Sequence, residues 1–353
     1  MNLTIPAGVR DENYTQTLRI VKTKTQWFLA VLGLILLFIM PLLLSDYMNN
    51  LLTLICINII VVLGLNILTG YCGQISLGQS AFVAVGAYTV GILYATYSVP
   101  FLLAVFFAVI VSSLSGIIVG LPSVRLKGFY LALSTVAFQF IVYWVLFKAE
   151  FLTGGGFGLE VPALQIFGID FDTRVKISYL SVSIFLILAF FARNIVRTRA
   201  GRAFIAVRDN DLAAEVMGIP LTRTKLLAFL ISAIYAGIAG ALYAIHFRWL
   251  MPDLFNLNYS IWYLAMVIVG GRGSFVGGIL GTIFIVSLEE GTRLFFSNLV
   301  TIMPTVLSSG TGTGISHAVL GLIIVLFLIF EPRGLGHWWE TFKSTYRIWP
   351  FSY

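Results

Sequence analysis

Charge is what this chain has least of. Lys, Arg, Asp and Glu together make up 10% of its 353 residues, where a soluble domain carries roughly a quarter. Hydrophobic residues make up 59%, so most of the surface lacks groups that water solvates well. Cysteine is nearly absent too. Cys56 and Cys72 sit in or beside apolar segments and read as small packing residues. Two thiols and three scattered histidines, His246, His317 and His337, provide neither a disulfide framework nor a metal cluster. No G-x-x-x-x-G-K-[ST], H-E-x-x-H or G-x-S-x-G occurs, so no phosphate cradle, zinc helix or nucleophile elbow is expected. The Gly154-Gly155-Gly156-Phe157-Gly158 run does not join a strand to a helix and is no nucleotide fingerprint. The chain is therefore expected to hold no catalytic residue, no metal and no cofactor. No cleavable signal is expected either: the first apolar run starts only at Trp27, is long for a signal core, and has no small-residue site after it.

What is there is a series of long apolar runs from end to end, which predicts an all-α, polytopic membrane helix bundle. About ten spans are expected, over 27–44, 51–69, 77–97, 101–121, 128–147, 177–192, 226–246, 259–271, 275–290 and 315–331. The two over 259–290 are short and glycine-rich. Residues 1–26 read as a cytosolic extension, 27–331 as the transmembrane domain with a loop at 193–225, and 332–353 as a cytosolic tail. With both termini cytoplasmic, 17 of the 22 Lys and Arg residues fall on the inner side, as the positive-inside rule requires. The net charge of +7 thus reports orientation and not a nucleic-acid partner.

Two stretches carry the functional signal. The first joins the second and third spans: Thr69-Gly70-Tyr71-Cys72-Gly73-Gln74-Ile75-Ser76-Leu77-Gly78-Gln79-Ser80-Ala81-Phe82. It is polar, uncharged and rich in glycine. Each Gln and Ser needs a partner that lipid cannot supply. Irregular backbone at membrane depth is tolerated only under protein or beside water. One reading is a pathway wall or gate built on Gln74, Ser76 and Gln79; the other is a cytosolic turn leading into a tightly packed helix pair. Two hundred positions later Gly270, Gly273 and Gly278 stand in register with Gly70, Gly73 and Gly78, a pattern that suggests a repeat of the same orientation, with chance as its rival.

The second stretch is the charge-dense inner loop from Arg197 to Pro220. Residues 203–217 are good helix formers, and Gly218 with Pro220 makes a stop. A short amphipathic helix along the cytosolic face is expected, with Arg208, Asp209, Asp211 and Glu215 on its surface. A solvated loop on anionic lipid explains the arginines alone; a docking helix for a soluble partner explains the acidic groups and the alanine–glycine end as well. Glu289 and Glu290 read as a solvated rim near the outer end of their span, with a proton path as the alternative.

These same stretches resemble the LivM-type permease subunit of branched-chain amino-acid ABC transporters. The G-x-x-x-S-L-G-Q-x-x-F-x-x-x-G-A-Y pattern of the wider permease family corresponds to Gly70 and Gly73 through Ser76, Leu77, Gly78, Gln79, Phe82 and Gly86-Ala87-Tyr88. Arg125-Leu126-Lys127-Gly128-Phe129-Tyr130-Leu131-Ala132 with Thr135, Ala137 and Phe138 is similar to a LivM stretch. So are Thr153 through Leu159, the inner loop with Ala206-Val207-Arg208-Asp209-Asn210-Asp211, and Glu331-Pro332-Arg333-Gly334-Leu335. The likeness covers roughly residues 50 to 336, with one departure: Gly278 stands where the family usually has proline.

The resemblance implies a heterodimer with a sister permease, two cytosolic ATP-binding subunits, and a periplasmic or extracellular substrate-binding protein that delivers a small polar solute. It puts the chain, multi-pass, in the lipid of a bacterial inner membrane. Coupling to the ATPases is expected at Arg208, Asp209, Ala213, Ala214, Glu215, Met217 and Gly218. The translocation path is expected at Gly70, Gly73, Gln74, Ser76, Gly78 and Gln79. Branched-chain amino acids are the expected solutes; urea, amides or another small polar solute form the alternative, since related permeases serve them. A stand-alone ion-coupled carrier needs paired intramembrane charges, which are sparse here. The aromatic tail with Trp338, Trp339, Tyr346, Trp349, Phe351 and Tyr353 lies outside the likeness and reads as an interfacial anchor or partner contact.

Overall fold

The computed structural model describes residues 24–123, 126, 128–166, 168–302 and 309–348. The extension up to residue 23, Arg125, Lys127, and the tip with Trp349, Phe351 and Tyr353 lie outside the described residues.

The long apolar runs become helices, because a helix pairs its own backbone groups without water. They are α1 (Lys24–Leu43), α2 (Asp46–Leu65), α3 (Gln79–Gly91), α4 (Phe101–Ser123) and α5 (Phe129–Lys148). Wider π turns extend α2 over Asn66–Tyr71 and α3 over Ile92–Thr96. After α6 (Arg174–Arg197) come two short helices, α7 (Arg199–Asp209) and α8 (Asp211–Val216). The chain then forms α9 (Leu221–Phe247), α10 (Leu257–Gly270), α11 (Phe275–Ile302), α12 (Ser309–Phe330) and α13 (Gly334–Ile348).

Among the described residues, seven helices are long and apolar enough to cross a membrane. They are eight if Ala318–Phe330 and Gly334–Phe342, bent by 48°, form one broken span. The count of ten also included the runs of α1 and α10. Among the described residues α1 contributes a shorter apolar helix, Val31–Leu43. The 14 residues of α10 reach about 21 Å, short of the roughly 30 Å hydrocarbon core. Its neighbour departs from the sequence reading: α11 runs 28 residues and does not end near Glu290. The charge is met from two sides: Arg293 Nε, one turn on in the same helix, donates to Glu290 Oε2 at 3.1 Å, and the Tyr47 hydroxyl of α2 donates to the same carboxylate.

Among the described residues, four strands of two or three residues occur beside the helices, which the sequence reading did not foresee. Leu159–Glu160 pairs antiparallel with Trp249–Leu250, and Leu164–Ile166 with Ile169–Phe171. Ladders of two or three residues are too short for any periodicity to announce. The first pair ties the loop after α5 to the loop after α9 and so defines one end of the bundle. The other end gathers the 70–79 stretch, the α7–α8 arm and the α10–α11 turn.

The core lies where α9 crosses α3 and α4. At that crossing a Cβ on Gly240 would stand 2.2 Å from the Val83 carbonyl oxygen, and one on Gly86 would stand 2.5 Å from that of Gly237. Small residues let these backbones approach, as membrane helices need when no hydrophobic drive separates lipid from protein. Ser112 Oγ donates to the Ala233 carbonyl at 2.7 Å across the α4–α9 seam. Thr53 and Ser178 hydroxyls lie 2.9 Å apart between α2 and α6. By contrast Phe106, Ile118, Trp144 and Phe147 on α4 and α5 are exposed apolar side chains, fit for lipid or a partner helix.

Candidate functional site

The arm leaves the bundle through a tight corner. A Cβ on Gly201 would lie 2.1 Å from the Val196 carbonyl oxygen, and the Thr198 side chain caps α7 by accepting from the Gly201 amide at 3.4 Å. The sequence reads one helix over 203–217; the structure has two. Asn210 is extended, and its side-chain oxygen accepts the Ala213 N–H at 3.1 Å. It therefore caps α8 instead of continuing α7, as short amide side chains do when they compete for the backbone. The stop falls where Gly218 and Pro220 put it. Gly218 takes φ +83°, and the Gly218 and Ile219 amides donate to the Glu215 and Ala214 carbonyls at 2.9 and 3.0 Å.

The arm has two faces. Phe204, Val207 and Ala214 are buried against the bundle. Leu212, Val216 and Met217 are 70%, 87% and 82% exposed, with Ala213, Glu215 and Gly218 exposed beside them. A buried ion pair anchors the arm: Lys225 Nζ at the start of α9 lies 3.0 Å from Asp211 Oδ2.

Arg208 links the arm to both glycine stretches. Its Nη1 donates to the Gly70 carbonyl at 3.2 Å, and its Nη2 lies 2.9 Å from Asp209 Oδ1. Gly73 (φ +73°) packs on the stem of Arg208, whose Cγ would lie 2.9 Å from an added Cβ. Gly273 (φ +76°) packs on the guanidinium, with Nη1 3.0 Å from the position a Cβ would take. The in-register glycines Gly73 and Gly273 thus share a left-handed backbone that side chains rarely adopt. Asn66 clamps the two stretches together: its Nδ2 donates to the Ser274 carbonyl at 2.9 Å, and the Gly273 N–H donates to its Oδ1 at 3.0 Å. Arg272 joins Arg208 over an open cleft beside Thr69, Gly70, Gly73 and Ile75. Cys72 lies in the adjoining cleft with Asp211 and Lys225. Burial pushes its thiol up to about 12, which keeps it protonated and inert.

The polar side chains of the first stretch point into the bundle. Ser76 and Gln79 are fully buried, and Gln74 is nearly so. Gln74 is held by its backbone, its N–H donating to Leu68 O at 3.0 Å and its carbonyl accepting from Thr69 Oγ1 at 3.1 Å. Gln79 Oε1 accepts from Ser232 Oγ at 3.1 Å, and its Nε2 has no partner among the described residues. The start of α3 presses on α5, since a Cβ on Gly78 would lie 2.7 Å from the Thr135 carbonyl oxygen.

Sequence reading missed the partners in this network. Thr135 Oγ1 accepts the Leu77 N–H at 2.9 Å. Gln139 Oε1 accepts the Ala81 N–H at 2.8 Å and Ser260 Oγ at 3.1 Å. Part of the signal was available: Asn66, Gln139 and Ser232 are single polar residues inside apolar runs, each needing a partner at membrane depth.

A family model for the "Branched-chain amino acid transport system / permease component" matches residues 47–328, from the first turn of α2 to the last turns of α12. The chain belongs to this permease family. It is 33% identical to the high-affinity branched-chain amino acid transport system permease protein LivM of Salmonella typhimurium, over 84% of this chain and 71% of that one. It is also 33% identical to LivM of Escherichia coli, over 88% of this chain and 75% of that protein. A probable LivM of Methanocaldococcus jannaschii is 25% identical over 78% of this chain and 89% of its own. No solved structure matches. Both glycine stretches and the whole α7–α8 arm lie inside the matched region, so the Arg208 junction belongs to the permease body.

Proposed function

We propose that this permease is one membrane half of an ATP-binding-cassette importer for branched-chain amino acids in a bacterial inner membrane. A sister permease forms the other half, two cytosolic ATPase subunits dock on the arm, and a binding protein delivers the solute at the opposite end. The arm end faces the cytosol with both termini, and the chain holds no cofactor of its own. One observation carries the reading: Arg208, on the arm, is hydrogen-bonded to the Gly70 carbonyl between two glycine turns. A push on α8 reaches the irregular backbone at the ends of α2 and α10 through that contact. Gln74, Ser76, Gln79 and the glycines beside them line the path that opens when those turns move. Uncharged polar groups suit a zwitterion, which strong ion pairs would trap.

The ATPase contact is the exposed apolar trio Leu212, Val216 and Met217, with Ala213, Glu215 and Gly218 at its edge. Asp209 flanks it, and Ala214 supports it from below. Exposed apolar side chains on a charged arm are what a partner groove would cover. The test uses the assembled complex in proteoliposomes with ATP inside and leucine and binding protein outside. Val216→Glu is expected to abolish ATP-driven uptake and release the ATPase subunits on purification. Uptake that continues without ATP, driven by an ion gradient, would sink the proposal.

A further inference from the structure

A second polar cluster lies toward the end of the bundle away from the arm, in a cleft between α2, α9, α10 and α11. The cleft encloses about 160 Å³, far more than the 10–15 Å³ or so that one water needs. Its lining is sorted by chemistry. Leu51, Leu54, Met266 and Val286 form an apolar wall. Glu289, Glu290 and, one turn on, Arg293 come from α11. Tyr243, Tyr259, Tyr263 and Asn58 supply neutral polar groups.

Those neutral groups are unmatched by protein. Tyr243 and Tyr263 are only 5% and 3% exposed, yet neither hydroxyl has a hydrogen-bond partner among the described residues, and neither is closed off from the cleft. The half-buried Tyr259 hydroxyl and Asn58 carboxamide likewise have no hydrogen-bond partner among the described residues. Buried polar groups are ordinarily bonded, so two buried hydroxyls that converge on one cavity with two half-buried polar groups call for a bound molecule. The charges are held ready. Arg293 engages Glu290 and Tyr47 through Nε and Nη2, which leaves Nη1 for an incoming carboxylate. The Glu289 carboxylate and the tyrosine ring faces suit an ammonium group.

We propose that this cleft is a binding site for an aliphatic α-amino acid, a way-station on the solute's route. The ammonium faces Glu289 and the tyrosines, the carboxylate faces Arg293, and the branched side chain lies on Leu54, Met266 and Val286. A sugar would leave that apolar wall uncovered, and an acidic side chain would meet Glu289 and Glu290. The assignment deepens the importer reading and rests on it for the solute.

The test is photo-crosslinking of the full transporter complex in lipid nanodiscs with a leucine analogue carrying a diazirine in its side chain. Adducts are mapped by mass spectrometry, and leucine uptake is measured separately in proteoliposomes. Adducts on residues 51–58 or 259–266, cut at least fivefold by excess leucine and at least fivefold by Glu289→Gln, are the expected result. Tyr263→Phe keeps the ring and removes only the hydroxyl, so it is expected to weaken labelling in a complex that still assembles. A complex that carries leucine but shows no leucine-competed adduct in those segments overturns the site and leaves the importer reading intact. A complex that carries no leucine counts against the solute assignment, and the adduct map still decides the site.

Discussion

Gly70 has no room for a methyl group. An added Cβ would lie 2.0 Å from Asn66 Oδ1 and 2.4 Å from the Gly273 nitrogen, and both atoms belong to the clamp between the glycine stretches. Gly70→Ala is expected to cost about 1–3 kcal/mol through overpacking and to lower uptake at least tenfold; a thermal-shift assay beside uptake measures both. Arg208→Ala keeps the fold, since that side chain is 37% exposed, but removes the tie to Gly70. The expected signature is ATP hydrolysis that continues while uptake falls, which separates coupling from assembly. Lys225→Met removes a fully buried cation and leaves Asp211, 18% exposed, without that partner. Loss of one member of a buried pair costs about 3 kcal/mol at the lower end. Adding Asp211→Asn should restore most of the melting temperature, and no restoration would show that the pair is not what holds α8.

The arm behaves as two short helices with a cap between them. Asn210→Ala deletes the side-chain bond to the Ala213 amide and is worth about 1 kcal/mol. Removal of the cap favours one continuous helix, which would swing α8, with its buried Ala214, away from its seat at Lys225. Uptake is expected to fall several-fold in Asn210→Ala and to recover in Asn210→Asp, which keeps a capping oxygen; equal uptake in all three would set the two-helix arm aside. Sequence periodicity found the arm and its stop at Gly218, but put on the surface Asp211, which the buried Lys225 meets, and overlooked the exposed Leu212, Val216 and Met217. It missed the break because helix formers run from Ala203 to Met217 on both sides of Asp209-Asn210-Asp211, and the decision lay with one side chain's hydrogen bond. The same limit hid the true length of α11. A pair of glutamates looks like a helix's wet end until Arg293 and Tyr47 are seen to meet one of them.

For the whole molecule, positive-charge bias and the pairing of Leu159–Glu160 with Trp249–Leu250 assign opposite ends to the arm and to the outer loops. Reporter fusions at Glu215 and at Phe157 are expected to report opposite sides of the membrane, the first cytosolic; both on one side would undo the arrangement. The class of this protein was legible in its composition, because a chain with so little charge can satisfy its surface only in lipid, and its backbone there only as helices. The two stretches that meet at Arg208 were legible as segments, since glycine-rich polar residues and a charge-dense arm interrupt the apolar runs. What only the tertiary structure decided is which of them touch. Asn66, Gly73, Arg208 and Gly273 span more than 200 positions of sequence, and no local pattern reports a contact made across such a separation. Each of these groups has several possible partners in the chain, and only close packing selects the one it meets.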